Sequence, residues 1–387
     1  MNPAENSRFD VVIIGAGPAG TMCAALLARR GVHVLLCDKA TFPREKICGD
    51  CVNPGCWDFF RMLGVESDIA ANAEVITGIQ IAGRSGKILE VPFESRSTKQ
   101  CAPFVGVKRS TLDSILLQRA IREGATFCEA TSIGSCSFEP SDKGHWKVCL
   151  RSHETGTTTN IVCATLIGAD GRNSRVAKLL AGIGDEQVRV KENNSDRIGI
   201  QFTVKRNGTV GQNVLMFFFE GGYGGIVGVT ASEANVAMVV TRRIARLAAT
   251  NFENFIAMTI HENQSARRII PKVEMTGEIH TAFPIVPQAV AQHYSSVYFI
   301  GDARRTTEPF TGEGVLFALQ DGLRAAQSIL KSLGIPDETI PPPLRNRFVR
   351  DNIVSPALQR ESISHILLAL GLRYKVLAQL AGKMVFR

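Results

Sequence analysis

The chain has 387 residues, of which 45% are hydrophobic and 21% charged, and it carries a net charge of +8. This length exceeds that of a usual single hydrophobic core, so we expect two lobes, and the composition excludes a largely disordered chain. The positive charge is dispersed and accompanies no nucleic-acid-binding motif, so no nucleic-acid partner is expected.

Three further features concern the compartment. No stretch reaches the ~18 consecutive apolar residues of a membrane-spanning helix. Ten cysteines are scattered through the chain, whereas a disulfide framework is typical of short secreted proteins. A predicted core strand is reached by Phe9, which leaves no room for a secretory signal before it. These features predict reduced thiols and a cytoplasmic location.

The first predicted element is an apolar strand that runs into a glycine-rich turn. Gly15, Gly17 and Gly20 have the spacing G-x-G-x-x-G, with Pro18 and Ala19 between the second and third glycines. In this motif the first glycine makes the tight turn, the second lets a pyrophosphate approach the backbone, and the third lets the helix pack on the strand. The N–H groups at the start of the helix then bind the pyrophosphate.

The next elements complete a β–α–β unit. A helix is predicted over residues 19–30 and a second strand over residues 32–37. The strand ends at Asp38, 18 positions after Gly20, close to the ~20 expected for an acidic residue that binds a ribose 2′-hydroxyl. Lys39, directly after it, is a further candidate for the cofactor site. The whole unit favours a dinucleotide site over a glycine turn without a ligand.

A loop with many turn-forming residues follows at residues 41–55. Cys48 and Cys51, with Cys56 nearby, have spacings that fit a redox disulfide or part of a metal site. An iron–sulfur cluster or a structural zinc site normally takes four ligands, and no fourth ligand lies at a suitable spacing, so we expect no metal. A free cysteine is also often a small buried hydrophobic residue, and that alternative stays open for Cys48.

The middle of the chain is predicted to alternate strands and helices. Residues 74–95 form two strands around a turn, and residues 105–124 contain a helix with apolar spacing at Leu112, Ile115, Leu116 and Ala120. Residues 125–167 form short strands that lead to a turn containing Asp170, a further candidate for the cofactor site. Residues 185–290 are rich in phenylalanine, valine and glycine, with one helix near residues 251–264, which predicts a second lobe of antiparallel character.

The chain then returns to the first lobe. An apolar strand is predicted over residues 296–300, and a helix over residues 314–333. Between these elements, and at the start of the helix, lie the remaining candidates for the cofactor site: Gly301, Asp302, Pro309, Gly312, Glu313 and Gly314.

Residues 336–387 are predicted to form a C-terminal helical segment. From residue 362 onward this segment is rich in large apolar residues and has basic residues but no acidic one. A helix packed on its own protein and an amphipathic helix at a lipid surface both fit this pattern. A peripheral membrane contact is therefore one of two open alternatives.

Three motifs occur in a fixed order: the glycine fingerprint, the turn at residues 168–175, and the pair Gly301 and Asp302. In this order, and over nearly the whole chain, they resemble the flavoprotein superfamily of para-hydroxybenzoate-hydroxylase-like monooxygenases and geranylgeranyl reductases. Within it, the segment Pro43-Arg44-Glu45-Lys46-Ile47-Cys48-Gly49 resembles the P-R-x-K-x-C-G segment of the geranylgeranyl-reductase-like branch.

The resemblance implies an α/β fold with a discontinuous, Rossmann-like FAD-binding lobe and a β-rich substrate lobe. The FAD-binding lobe would consist of residues 1–73, 101–184 and 291–335. The substrate lobe would consist of residues 74–100 and 185–290.

The resemblance also implies FAD as the bound cofactor and specific roles around it. Arg109 is expected to contact FAD, and Asp302 to hydrogen-bond its ribityl chain. The backbone of residues 312–314 is expected to donate to the pyrimidine edge of the flavin ring. Arg44, Cys48 and Gly49 are expected beside the cofactor, with Cys48 the candidate catalytic residue.

The expected reaction is reduction of a carbon–carbon double bond of a small, apolar, isoprenoid-like substrate by hydride transfer through flavin N5. An apolar lining is expected from residues 217–219 and from Phe283 with the proline that follows it. A second dinucleotide fingerprint is absent from the sequence, so NAD(P)H is expected as a transient electron donor without a domain of its own.

Two other functions remain open on the same scaffold. One is an NAD(P)H-dependent monooxygenase that hydroxylates an aromatic or polyketide-like substrate, and the other is a non-catalytic flavin-binding protein. The W-x-W-x-I-P segment of flavin-dependent tryptophan halogenases is absent. The chain also departs from the reductase pattern. Arg304 and Arg305 stand where small residues are usual, and residues 222–227 lack the aromatic segment common in isoprenoid reductases.

Overall fold

The computed structural model describes residues 3–83, 88–92, 103–140, 144–182, 196–206, 213–283, 296–306, 312–337 and 342. These residues form two seven-stranded sheets and one three-stranded sheet, with helices packed against them. The predicted α/β class is confirmed.

The first sheet is centred on β1 (Ser7–Ile14). Its neighbours β2 (Val34–Cys37) and β11 (Thr158–Gly168) are both parallel to it. All four residues of β2 are buried, as expected for a strand covered on both faces. The other strands are β8 (Thr126–Cys128), β9 (Thr131–Glu139), β10 (His145–Ser152) and β17 (Val297–Phe299). Because β17 pairs with β11, the chain returns to this sheet as predicted.

Three helices cover one face of this sheet. The central one, α1 (Pro18–Arg29), packs against both α4 (Arg109–Arg122) and α9 (Gly314–Ser332). Every residue of α1 from Pro18 to Ala28 is buried, since the helix has the sheet on one side and helices on the other. The smaller helices are α2 (Cys56–Leu63), α3 (Glu66–Ala71) and α5 (Arg175–Gly182).

The second sheet is mainly antiparallel, as predicted for the second lobe. Its strands, in spatial order, are β16 (His280–Ala282), β12 (Arg197–Lys205), β15 (Glu233–Thr241), β14 (Gly222–Gly228), β13 (Asn213–Phe219), β5 (Gly78–Ala82) and β6 (Ile88–Pro92). Only the pair β5 and β13 runs parallel among the described strands of this sheet.

One face of the second sheet packs against α6 (Arg242–Thr250), α7 (Phe252–Ile256) and α8 (Gln264–Ile269). The helix predicted near residues 251–264 is present as α7 and the π-helical turn Ala257–His261 that continues it, and a break then separates this turn from α8. The break lies at Asn263, whose side chain accepts hydrogen bonds from the first N–H groups of α8.

The two faces of β13 have different neighbours, since side chains alternate along a strand. Phe217 and Phe219 pack with α6–α8, whereas Met216 and Phe218 lie on the opposite face. The expectation that residues 217–219 line the substrate site as a block is therefore wrong for Phe217 and Phe219. Phe283 is 48% exposed, and the proline after it lies outside the described residues.

A small sheet joins the two larger ones. It consists of β3 (Cys51–Val52), β7 (Phe104–Gly106) and β4 (Glu74–Ile76). A methyl group at Gly106 would overlap the Gly228 carbonyl oxygen, so β7 lies directly on the end of β14. This contact brings the loop before β3 next to the second sheet. The lobe boundaries themselves stay a prediction.

Residues 343–387, which include most of the basic and apolar C-terminal segment, lie outside the described residues. Among the helices that are described, none is long and apolar enough to cross a membrane.

Replacement of Gly322 by alanine is expected to destabilise the protein. A methyl group there would lie 2.5 Å from the Ala19 carbonyl oxygen and 2.9 Å from Met22 Cβ. Alanine favours a helix over glycine by about 1 kcal/mol, but overpacking a filled core costs about 1–3 kcal/mol. Thermal unfolding of Gly322→Ala should therefore occur at a lower temperature than that of the wild type.

The matched control is Gly277→Ala. At this position no atom of the described residues lies within 4 Å of the added methyl group. Its unfolding midpoint should match that of the wild type. Equal midpoints for the two variants would contradict a close crossing of α1 and α9.

Candidate functional site

Two glycines of the fingerprint are required by packing within the protein. Gly15 has a φ of +111°, and a methyl group on it would overlap the Ala169 carbonyl group. A methyl group on Gly20 would overlap the Gly15 carbonyl oxygen. These contacts hold β1, the start of α1 and the turn after β11 close together.

Gly17 is different, because packing against the described residues does not require a glycine there. Among the described residues, only Nη2 of Arg44 lies within 4 Å of where its Cβ would be, at 3.5 Å. The first hydrogen bond of α1 runs from Thr21 N–H to Gly17 O, so the N–H groups of Ala19 and Gly20 have no acceptor within the helix. Open space between helix N–H groups and a guanidinium suits an anion, and the pyrophosphate of FAD fits this turn.

Asp38 lies at the end of β2, as predicted, and is 7% exposed. Its carboxylate accepts hydrogen bonds from the N–H groups of Ala16 at 2.8 Å and Ala40 at 2.9 Å. Asp38 therefore holds the backbone of the glycine turn in place. Its contact with a ribose stays a prediction. Lys39 is exposed, and its role also stays a prediction.

A buried carboxylate, Asp113, organises two cations of the site. It accepts two hydrogen bonds from Arg109, at 3.0 and 2.9 Å, and lies 3.2 Å from Nη2 of Arg44. Burial lowers the pKa of Arg109, but Asp113 and Cys48 outweigh burial and raise it. Sequence reasoning missed Asp113, although its position four residues after Arg109 on a predicted helix was a usable signal.

Lys46 is a third cation, and it lies near both the turn after β11 and Asp302. Its Nζ would lie 3.4 Å from a Cβ on Gly171, in the turn after β11. Burial lowers the pKa of Lys46 and the Arg109 and Arg44 charges lower it further, while Asp302 opposes them. An anion bound beside Lys46 would relieve this repulsion. The sequence motif contained Lys46, but its role was not recognised before the turns were seen together.

Gly301 and Asp302 form a short 3-10 turn after β17. Gly301 has a φ of +59°, and a Cβ there would lie 3.0 Å from Cβ of Ala19. The pair predicted to bind the ribityl chain thus lies against the start of α1. Arg304 is exposed and pairs with the buried Asp321 on α9 at 3.4 Å, which gives this departure from the family pattern a structural partner.

The expected ring-binding turn lies at the start of α9. Gly312 has a φ of +64°, and a Cβ on it would lie 3.5 Å from the Cys51 carbonyl oxygen and 3.9 Å from its Sγ. Glu313 is buried at the N-cap, and no atom of the described residues lies within 4 Å of a Cβ on Gly314. The helix start is therefore accessible to a ligand, while Pro309 lies outside the described residues.

The backbone of Cys48 forms hydrogen bonds to the second sheet through both its N–H and its carbonyl group. Its N–H donates to Oε1 of Gln201 at 2.8 Å, and its carbonyl oxygen accepts from Nδ2 of Asn235 at 2.9 Å. Burial raises the pKa of the Cys48 thiol, although the hydrogen-bonded Arg109 opposes this. Cys48 is therefore a thiol at neutral pH, and its catalytic role stays a prediction. The next residue, Gly49, is exposed.

Asp170 caps a helix. Its Oδ2 accepts hydrogen bonds from the N–H groups of Arg175 at 2.6 Å and Val176 at 3.2 Å, at the start of α5. Burial raises the pKa of Asp170, and its hydrogen bonds, first that of Ser174, lower it. The carboxylate thus shapes the turn that carries Gly171, and direct contact with the cofactor stays a prediction.

Comparison with known proteins identifies the family. Residues 8–334 match the FAD binding domain family, and the chain belongs to it. The description of this family names FAD as the ligand of the domain. The predictions of a flavoprotein, of bound FAD and of an enzyme are confirmed.

The similarity to three other proteins extends over different shares of the chain. Conditioned medium factor receptor 1 of Dictyostelium discoideum is 25% identical over 85% of this chain and 64% of its own length. Menaquinone reductase of Mycolicibacterium smegmatis is 33% identical over 45% of this chain and 40% of its own length. The chain thus spans less than two thirds of these two relatives. Digeranylgeranylglycerophospholipid reductase 3 of Methanosphaera stadtmanae is 25% identical over 84% of this chain and 78% of its own length.

Solved structures share the fold. The myxobacterial chondrochloren halogenase CndH aligns with a TM-score of 0.75 at 20% identity, over 86% of this chain and 77% of that one. PqsL of P. aeruginosa, in complex with 2-aminobenzoylacetate, aligns with a TM-score of 0.69 at 19% identity, over 85% and 88% of the two chains.

Gly17→Ala is expected to weaken FAD binding while leaving the fold intact. The added methyl group meets only Arg44 among the described residues, but it occupies the space where the pyrophosphate would approach. We expect the dissociation constant of FAD to rise about tenfold or more, which corresponds to a loss of about 1.4 kcal/mol. Flavin fluorescence titration measures the affinity, and thermal unfolding of the FAD-free protein measures the stability.

Gly20→Ala is the matched control with the opposite result. Its methyl group would overlap the Gly15 carbonyl oxygen, so the FAD-free protein itself should unfold at a lower temperature. If Gly17→Ala bound FAD as tightly as the wild type, the pyrophosphate could not lie at this turn.

Gln201→Leu is expected to loosen the Cys48 loop, since it removes the acceptor for the Cys48 N–H. Loss of this buried hydrogen bond should cost about 1–3 kcal/mol of unfolding free energy. It should also increase the rate at which iodoacetamide labels Cys48, measured by peptide mass spectrometry. Gln80→Leu, which removes a surface hydrogen bond to Glu90 on the same sheet, is the control. An unchanged labelling rate in Gln201→Leu would argue against the proposed anchoring.

Proposed function

We propose that the protein reduces a carbon–carbon double bond of an apolar, isoprenoid-like substrate, with FAD as the redox group and NAD(P)H as the transient electron donor. The observation that carries this proposal is the position of Cys51. Its carbonyl oxygen and Sγ approach Gly312 at the expected ring-binding turn, and its side chain packs against an apolar cluster on the second sheet.

That cluster would form the apolar wall of the substrate site. It lies on the face of the second sheet opposite to α6–α8. Its buried members are Ile76, Ile79, Phe104, Val214, Met216, Phe218, Tyr223, Val227, Val229 and Val239. A binding site lined mainly by hydrophobic and aromatic side chains, with a few polar groups at one end, is typical of small-molecule sites. Here the polar end is the loop that carries Cys48.

The residues of the chain would divide the remaining work. Bound FAD would supply hydride transfer, which no protein side chain provides. Arg44 and Lys46 would neutralise the pyrophosphate, and Asp302 would hold the ribityl chain. The start of α9 would direct N–H groups toward the pyrimidine edge, where a reduced flavin carries negative charge.

The names of two relatives support reduction. One is a menaquinone reductase and the other a digeranylgeranylglycerophospholipid reductase. A contact between the C-terminal segment, residues 336–387, and a membrane surface would suit such a substrate, and it is part of the proposal.

Anaerobic turnover tests the reaction type. The FAD-loaded protein, reduced by dithionite or NADPH without oxygen, should be reoxidised by a prenylated quinone or a polyprenyl glycerolipid in detergent. The lipid product should gain two hydrogens, as measured by mass spectrometry. Gly17→Ala, which should bind FAD poorly, is the control for reduction by free flavin.

Two results would overturn the proposal. One is the absence of turnover without oxygen, combined with substrate-dependent oxygen uptake and an oxygen atom in the product, which would establish a monooxygenase. The other is a failure of every apolar alkene to reoxidise the bound flavin.

A further inference from the structure

Asp50 is a buried acid in the segment that joins the cofactor turn to the apolar cluster. Asp50 is only 3% exposed. Its φ of +52° is in the left-handed region, which is uncommon for residues other than glycine, although aspartate and asparagine adopt it more often than most. Gly49 before it is exposed, and Cys51 after it approaches Gly312. Strained backbone of this kind is concentrated at functional sites.

The carboxyl group of Asp50 is only partly satisfied. The backbone N–H of Arg109, at the start of α4, hydrogen-bonds to it. Its Oδ1 is buried and has no hydrogen-bond partner among the described residues. The Arg109 guanidinium does not complete the set, because it forms its two-point contact with Asp113. Burial of a charged carboxylate oxygen without a hydrogen-bond donor costs free energy. Protonation reduces this cost because the carboxyl group is then uncharged.

The groups around Asp50 favour its neutral form. Burial raises the pKa of Asp50 to about 8; Arg109 on α4 opposes this, while Glu45 in the preceding loop and Asp113 on α4 raise it further. The neighbouring Cys51 is also un-ionised, since burial raises the pKa of its thiol to about 12. FAD bound at Arg44 and Lys46 would add negative charge nearby and favour protonated Asp50 still more.

We propose that Asp50, with its buried and unpartnered Oδ1, is a catalytic acid whose carboxyl group delivers a proton to the substrate. This inference rests on the proposed double-bond reduction. One carbon of the double bond accepts a hydride, with its electron pair, from the reduced flavin, and the other carbon accepts the proton from the Asp50 carboxyl group. The substrate is thereby reduced and the flavin oxidised, and the Asp50 carboxylate regains its proton from water.

A purely structural role for Asp50 makes a different prediction. The hydrogen bond from the Arg109 N–H needs only an acceptor, and asparagine provides one with the same shape. Asparagine also tolerates the left-handed backbone. Asp50→Asn therefore keeps the helix contact and removes only the transferable proton. Asp58→Asn, at a partly exposed acid on α2, is the matched control.

The first measurement is the protonation state in the FAD-loaded protein. The infrared difference spectrum between wild type and Asp50→Asn should contain the carbonyl band of a neutral carboxylic acid at pH 7. That band should disappear as the pH rises through about 8. The folded protein then holds a proton that the unfolded chain releases above about pH 4, so the wild type should lose stability relative to Asp50→Asn between pH 4 and 8. An Asp50 that is ionised at pH 7 overturns the proposal.

The second measurement is the anaerobic oxidation of the pre-reduced, FAD-loaded protein by the polyprenyl lipid that the wild type turns over. Asp50→Asn should slow this step about 10²- to 10⁴-fold, the usual contribution of a general acid. KM and FAD affinity should remain near their wild-type values, and Asp58→Asn should react normally. The wild-type rate should fall as the pH rises above about 8, and the residual rate of Asp50→Asn should not follow that pH dependence.

The outcomes separate the two proposals. A neutral Asp50 with a slowed Asp50→Asn reaction supports the catalytic acid. An Asp50→Asn reaction at the wild-type rate, or one slowed only through lost FAD, overturns it while leaving double-bond reduction intact. A wild type that reduces no alkene without oxygen overturns the proposed function and with it the role of Asp50 as acid, whatever its protonation state.

Discussion

The close approach of backbone around Ala19 is the constraint on which the site depends. Gly301 places its Cα where a side chain would press on Ala19 Cβ, and Gly322 on α9 lies against the Ala19 carbonyl oxygen. Only small residues permit this approach. It brings residues separated by about three hundred positions into one site, so that the Asp302 turn and the start of α9 meet the pyrophosphate turn.

A network of ion pairs connects the segments that meet at this junction. Asp113 is the acceptor for both Arg109 and Arg44, and Lys46 lies near them with its pKa lowered by burial first and by the two arginines next. Arg44 also lies 3.7 Å from Asp38, and Asp302 acts on Lys46, so carboxylates from three separate segments accompany these cations. The proposed pyrophosphate site lies beside this network, where Arg44 and Lys46 would face the bound phosphates.

The loop from Cys48 to Cys51 connects this charged region to the apolar one. Gln201 and Asn235 hold it from the second sheet, and Arg109 holds it from α4. The same short segment therefore contacts the second sheet and the apolar cluster and lies beside the turn at Gly312. A group on this segment therefore lies between the proposed cofactor site and the second sheet.

The sequence by itself determined the features that depend on near neighbours. The fingerprint at Gly15, Gly17 and Gly20, the strand that ends at Asp38, and helices α1, α4 and α9 follow from local spacing and periodicity, because each is encoded within a few turns or one strand. Contacts between distant segments were decided only by the tertiary structure. These contacts include the pairing of Asp113 with Arg44 and the position of Lys46 beside the Asp302 turn. They also include the anchoring of Cys48 by Gln201 and Asn235, and the face on which each phenylalanine of β13 lies. Such contacts depend on which faces meet when the chain closes, and residue spacing carries no information about that.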